Sequence, residues 1–129
     1  MLIKPLTKTI STLALSLIVS HPSNGRDNTP LHSETCKTTI EVPSSISTNT
    51  FYEWELKFQP KFCGSGSLEV KGYMPAHAHG LPSIPVIVED SDGRYFIKGI
   101  YFNMMGRWIL SIYNENKVID KHDINVIKF

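Results

Sequence analysis

The sequence predicts an all-β protein, and two patterns in the chain support this. Apolar residues alternate with polar ones at the period of two that is typical of strands, most clearly over Tyr52–Phe58. Several short strand patterns follow one another with turn residues between them, and five prolines between positions 43 and 85 leave room for no more than a turn or two of helix. We therefore expect an immunoglobulin-like β-sandwich preceded by an N-terminal signal segment. A closed β-barrel is the other all-β fold that these patterns allow.

The first 25 residues differ from the rest of the chain. Lys4 and Lys8 precede an uncharged, largely apolar run over residues 9–20. This run has the length of a signal-peptide core and is too short to span a bilayer comfortably. We expect a signal peptide at 1–25, a flexible mature N-terminus at 26–35 and a β-sandwich domain at 36–129, in a periplasmic or extracellular protein. The alternative is an uncleaved membrane anchor formed by residues 9–20.

Export makes the two cysteines informative. Cys36 and Cys63 are separated by 26 residues, and an even pair in an oxidising compartment is most often a disulfide. Closing a loop of this size would stabilise the fold by roughly 3 kcal/mol. Two alternatives stay open: two unpaired structural thiols, or Cys63 as a thiolate metal ligand or redox thiol.

The remaining strands are predicted from the same alternation and from the turns between them. Residues 90–93, with the sequence Asp-Ser-Asp-Gly, and residues 114–116, with Asn-Glu-Asn, are strong turn signals. The predicted strands are 52–58, 68–72, 86–88, 94–101, 108–113 and 117–128.

Composition excludes several classes of function. The chain has 129 residues, enough for one domain, and its 13 basic and 12 acidic residues give a net charge of +1. Because no basic stripe is present, nucleic acid is not expected as a partner. No nucleophile elbow, phosphate loop or paired catalytic acids stand out, so we do not expect an enzyme.

The segment from Met74 to Pro82, with the sequence Met-Pro-Ala-His-Ala-His-Gly-Leu-Pro, is the candidate site. In an extended backbone, His77 and His79 point to the same face, as a two-histidine metal site requires. Thioether sulfur and imidazole nitrogen suit copper better than hard cations.

The expected ligands are His77 and His79 together with Met74 and Met104. Met105 offers a further thioether, although in a strand only one of Met104 and Met105 faces inward. The simpler interpretation is that the methionines fill the core and the histidines only hydrogen-bond to backbone. His122, in the predicted closing hairpin, is expected to be a solvated surface residue.

Two motifs in tandem resemble the YtkA-like and FixH-like family of small exported bacterial domains. That family carries a Met-Pro-x-His-x-His-Gly segment, matched by residues 74–80, and a Phe-x-Met-x-Gly-x-Trp segment, matched by residues 102–108. The resemblance covers roughly residues 50–127 and implies an immunoglobulin-like sandwich, export, and a link to copper handling or oxidase maturation. It implies that Met74, His77, His79 and Met104 are copper ligands and that Trp108 fills the core beneath them. The sequence departs from the family pattern at Ala78, where glycine is usual, and at Met105, where proline is common.

Two functions therefore remain as hypotheses. The first is an exported copper-binding domain that acts as a metal carrier or chaperone. The second is a structural or interaction module of the cell envelope, in which a rigid proline–histidine loop docks onto an envelope or membrane protein without metal.

Overall fold

The computed structural model of the protein describes residues 35–129, apart from the side chain of Phe62. All of these belong to one compact unit, Ser33–Phe129. The predicted signal peptide at 1–25, the alternative anchor at 9–20 and residues 26–34 of the predicted flexible N-terminus lie outside the described residues. Eight strands and one short 3-10 helix, at Lys61–Gly64, make up the regular structure. The strands are β1 (Lys37–Ile40), β2 (Phe51–Gln59), β3 (Leu68–Met74), β4 (His79–Gly80), β5 (Val86–Glu89), β6 (Tyr95–Tyr101), β7 (Gly106–Asn114) and β8 (Lys117–Val126).

The strands form two antiparallel four-stranded sheets, in the orders β1-β2-β6-β5 and β4-β3-β7-β8. These orders correspond to the A-B-E-D and C′-C-F-G sheets of the immunoglobulin fold. The prediction of an all-β, immunoglobulin-like sandwich is confirmed. Because the described strands fall into two separate sheets, the closed barrel is wrong.

All six predicted strands are present, and none of their ends is shifted by more than two residues. The predicted turn between β7 and β8 is confirmed, and its two central residues, Glu115 and Asn116, both have positive φ (52° and 65°). This is the backbone of a two-residue hairpin turn that matches the twist of the flanking strands. Sequence reasoning did not predict β1, β4 or the 3-10 helix.

The core lies between the two sheets, where the inward side chain of every second residue is buried. Trp108 at its centre is fully buried and packs edge-on against Phe102, with 5.4 Å between ring centroids. Both sheets contribute large apolar side chains to this core: Trp54, Leu56, Ile97, Ile100, Leu110, Ile112, Ile124 and Val126. Since Trp108 stands near the beginning of β7, the core reaches the end of the sandwich where β3 and β6 finish.

Cys36 and Cys63 form the predicted disulfide, with an S–S distance of 2.06 Å. The bond joins the start of β1 to the 3-10 helix, at the end of the sandwich where β2 finishes. The alternatives with unpaired cysteines are therefore wrong, and neither sulfur is free to act as a thiolate ligand.

Candidate functional site

The histidine loop leaves β3 at Met74 and returns as the two-residue strand β4. Inside the loop, the amides of His77 and Ala78 both donate to the Met74 carbonyl, at 3.3 and 2.9 Å. His79 then pairs with Met74 in the β3–β4 ladder. The loop is thus a closed, hydrogen-bonded turn attached to an edge of the second sheet.

The backbone between the two histidines is not extended as predicted. Ala78 has φ of 54°, in the left-handed region that costs an L-residue about 1–2 kcal/mol. The family that the sequence resembles usually has glycine at this position. The left-handed residue closes the tight turn and redirects the chain, so His77 and His79 are not held on one face by strand geometry. Their ring centroids nevertheless lie only 6.1 Å apart.

His79 is the best-defined side chain of the site. Its Nδ1 lies 2.8 Å from the carbonyl oxygen of Gly80. A carbonyl oxygen only accepts hydrogen bonds, so Nδ1 must carry the proton and donate. In a neutral imidazole this leaves Nε2 unprotonated, with its lone pair directed away from the backbone.

The lone pair of His79 Nε2 faces the sulfur of Met104 at 3.3 Å. Thioether sulfur is itself an electron-pair donor and has no hydrogen to give. In the neutral ring, two acceptors therefore point at each other, at an edge of the structure where water has access. A cation bound to both atoms would replace this unfavourable contact with one bond to nitrogen and one bond to sulfur.

The three methionines of the two motifs occupy different environments. Met74 is buried in the core with 2% of its surface exposed, and Met104 is partly buried and packs against the core. Met105 is 38% exposed and does not belong to the core cluster. Met104 and Met105 lie in the loop between β6 and β7 and not in a strand as expected, and Met104 is the one of the two that packs against the core. Met74 lies beneath the loop, where its methyl group would be 2.9 Å from a Cβ added at Gly106.

Trp108 forms the floor of the site. Its ring meets the His79 ring edge-on, with centroids 5.3 Å apart and an interplanar angle of 72°. Its indole Nε1 donates to the Met104 carbonyl at 3.0 Å. One fully buried side chain thus fixes both the His79 ring and the backbone that carries the Met104 sulfur. The role that the family resemblance implies for Trp108, an aromatic core residue beneath the site, agrees with this geometry.

His77 lies on the exposed part of the loop. Its backbone amide donates to the Met74 carbonyl, and its ring lies beside the His79 ring. Among residues 35–129, no three His, Cys, Asp or Glu side chains lie close enough together to hold a metal ion.

Sequence reasoning missed a second polar cluster, which joins the edges of the two sheets at β1 and β8. Thr38 donates to the Asp120 carboxylate from its backbone amide (2.6 Å) and from its hydroxyl (3.0 Å). Because that hydroxyl proton is used, His122 Nε2 must be the donor in its 2.6 Å contact with Thr38 Oγ1. His122 is half-buried, so the prediction of a solvated surface residue is wrong.

The pKa values of this cluster follow from its surroundings. Burial lowers the pKa of His122, against the opposing effect of the Asp120 charge. Burial alone would raise the pKa of Asp120, but hydrogen bonds from Thr38 and from the Lys121 amide outweigh it and the net pKa is lowered. The cluster holds two sheet edges together and lies on different strands from the histidine loop.

Comparison with known proteins adds no assignment to this geometry. The sequence matches no protein-family model, and no curated protein is significantly similar to it. Among residues 35–129, no helix is long and apolar enough to cross a membrane.

Proposed function

We propose that the protein is an exported copper-binding domain that carries the metal as cargo and does not catalyse a reaction. The observation that supports this most strongly is the unprotonated His79 Nε2 facing the Met104 sulfur at 3.3 Å. Nitrogen and thioether sulfur together form a soft ligand pair, and thioethers favour the reduced ion, Cu(I).

The distance between the two donors suits a single ion. Zinc, a transition-metal ion of similar size, has bonds of about 2.0 Å to imidazole nitrogen and about 2.3 Å to thiolate sulfur, and we use these lengths as a guide. Two donors 3.3 Å apart would then subtend an angle of about 100° at the ion, by the cosine rule with those bond lengths. This is close to the tetrahedral value. Because the ion would lie to one side of the line that joins the two donor atoms, the His79 ring or the Met104 side chain would have to turn so that its lone pair points at the ion.

His77 is the natural third ligand. Its ring lies beside that of His79, and as an exposed residue it can turn towards an ion without disturbing the core. Met74 is a weaker candidate because its sulfur belongs to a fully buried side chain. A ligand set of His77, His79 and Met104 would leave one position of the ion open to the outside, as a carrier needs for transfer.

The test is a Cu(I) competition titration against a chromophoric chelator under argon, with ascorbate as reductant so that the disulfide stays intact. We expect the parent to bind one ion per chain and the double variant His77→Ala, His79→Ala to lose about a hundredfold or more in affinity, which is about 2.7 kcal/mol. His122→Gln is the matched control, since it removes an imidazole far from the loop and should bind as the parent does.

If the double variant bound Cu(I) as tightly as the parent, the copper assignment would be wrong. The interaction-module hypothesis would then take its place, supported by the hydrogen bonds that close the loop on Met74. On that hypothesis Pro75→Gly would impair function, because Pro75 lies inside the loop and its replacement loosens the backbone there, while loss of both imidazoles would have no effect.

A further inference from the structure

The end of the sandwich that carries the candidate site has no formal charges in its loops. Three segments meet there: residues 46–51, 74–80 and 101–106. Phe51 pairs with Tyr101 in the β2–β6 ladder, and the Asn49 amide donates to the Phe102 carbonyl at 2.8 Å. These nineteen residues contain no Asp, Glu, Lys or Arg, although 19% of the whole chain is charged and three or four would be expected. We call these three segments the uncharged end.

Charges begin only at the border of the uncharged end, and they dominate the other end. At the border, Arg107 is ion-paired with Asp123, and Lys128 pairs with Ser47 through its backbone in an isolated β-bridge. At the other end, the β5–β6 and β7–β8 turns together carry Glu89, Asp90, Asp92, Arg94, Glu115 and Lys117. Depletion of charge combined with exposed aromatic and methionine side chains is the compositional mark of an interface centre.

The uncharged end has both of those exposed side-chain types. Phe51 is 70% exposed, and Met105 stands beside the candidate site with its thioether unused by the core. Since Met104 is the residue that faces His79, Met105 is a second soft ligand that points outwards from the same loop.

These features select a second copy of this chain as the occupant. In a symmetric pair every residue near the axis meets its own counterpart, so like charges there repel. The side chains of the uncharged end add no such cost, so the only like charges that would face each other in a copper-bound pair are those of the two ions, which additional metal–sulfur bonds would have to offset. Only eleven of its nineteen residues are exposed, whereas stable interfaces use about 20–30 residues per partner. The contact is therefore too small to persist unless a further bond holds it.

We propose that two copies dock through their uncharged ends when copper is bound, and that Met105 of each copy binds the ion held by the other. This inference rests on the proposed function. Each ion would then have four donors, two imidazole nitrogens from His77 and His79 and two thioether sulfurs, from Met104 and from Met105 of the second copy. The fourth ligand fills the position that one chain leaves open, and it can leave again when an acceptor protein arrives.

Sedimentation velocity of the full chain, with and without one equivalent of Cu(I), tests the pairing. We expect monomers without metal and a concentration-dependent dimer with it. Met105→Leu should still bind one Cu(I) per chain in dilute solution, within about threefold of the parent affinity, yet remain monomeric. A variant that binds Cu(I) but does not pair would identify Met105 as a ligand to the ion of the second copy. A residue that only supported the fold would not separate the two properties.

Two asparagines provide a matched test of the surface. Asn49 at the uncharged end and Asn116 at the other end are both exposed, and both have positive φ (58° and 65°). Asn49→Asp should weaken the Cu(I)-dependent dimer by about tenfold at very low salt and by less at physiological salt, because the added carboxylates face each other and are screened. Asn116→Asp should leave the dimer unchanged.

The outcomes separate this inference from the proposed function. A parent that binds Cu(I) tightly but stays monomeric at all concentrations overturns the pairing alone, as does a Met105→Leu variant that still pairs. Equal effects of Asn49→Asp and Asn116→Asp would show that the pairing uses another surface. A parent that binds no Cu(I) overturns both proposals.

Discussion

Ala78 gives the sharpest test of how the histidine loop is built. It is an alanine with φ of 54°, at the closing position of a turn that the Met74 carbonyl holds together. A left-handed conformation costs an L-residue about 1–2 kcal/mol, while glycine adopts it freely. Replacing Ala78 with glycine also makes the unfolded chain more flexible, which costs about 0.5–1 kcal/mol. The difference predicts that Ala78→Gly stabilises the fold by about 0.5–1 kcal/mol.

Ala76 is the matched control because it lies in the same loop, is equally exposed and does not have positive φ. Ala76→Gly relieves no backbone strain and only makes the unfolded chain more flexible, so it should destabilise the fold by about 0.5–1 kcal/mol. Urea unfolding with linear extrapolation measures both, and the two midpoints should move in opposite directions at constant slope. If both variants were destabilised to the same degree, the left-handed strain at Ala78 would be refuted.

Three further predictions follow from the fold. Replacing Cys36 and Cys63 by serine should lower the free energy of unfolding by about 3.5 kcal/mol, the chain-entropy value for this loop; an unchanged urea midpoint would contradict it. The folded-state pKa of His122 lies below its usual 6.5 because of burial, so the unfolded chain takes up the proton first. Stability should therefore fall as the pH drops below about 6.5, and His122→Gln should flatten that part of a pH series of thermal unfolding curves. Gly106→Ala should cost about 2 kcal/mol or more in chemical unfolding, because Gly106 has φ of 121° and its new Cβ would crowd the Met74 methyl group; a parent-like midpoint would refute the crowding.

The long strands could be predicted from the sequence because their apolar and polar residues alternate, and this alternation arises from burial of one face of each strand. β1 was missed since only Thr38 among its four residues is buried, so no apolar alternation marks it. β4 was missed because two residues are too few for any period. Short edge strands of this kind are defined by the neighbour that they pair with, and that neighbour is not visible in the local sequence.

One contact of the candidate site could be predicted from the sequence, but the geometry of the loop could not. His79 and Met104 were expected to meet, and they do, at 3.3 Å. The left-handed turn at Ala78 depends on how β3 and β4 close the loop, which residue types alone do not specify. The misjudged His122 carried a usable signal, because Asp120 and His122 continue the inward alternation of Ile124 and Val126. Asp120 and His122 lie on that inward face because they join the edge of β8 to the edge of β1 through Thr38.

The disulfide has a consequence for how acid would act on bound copper. Both sulfur atoms that could have been thiolates are joined to each other at the far end of the sandwich. The sulfur that remains, at Met104 and its neighbours, has no proton to lose before it can bind. If the protein carries copper as proposed, protons would compete with the metal only at the imidazoles, whereas in a thiolate site every sulfur must first be deprotonated. A carrier built this way would keep part of its hold on the ion in acidic surroundings, and would release it to a partner through ligand exchange more readily than through a change of pH.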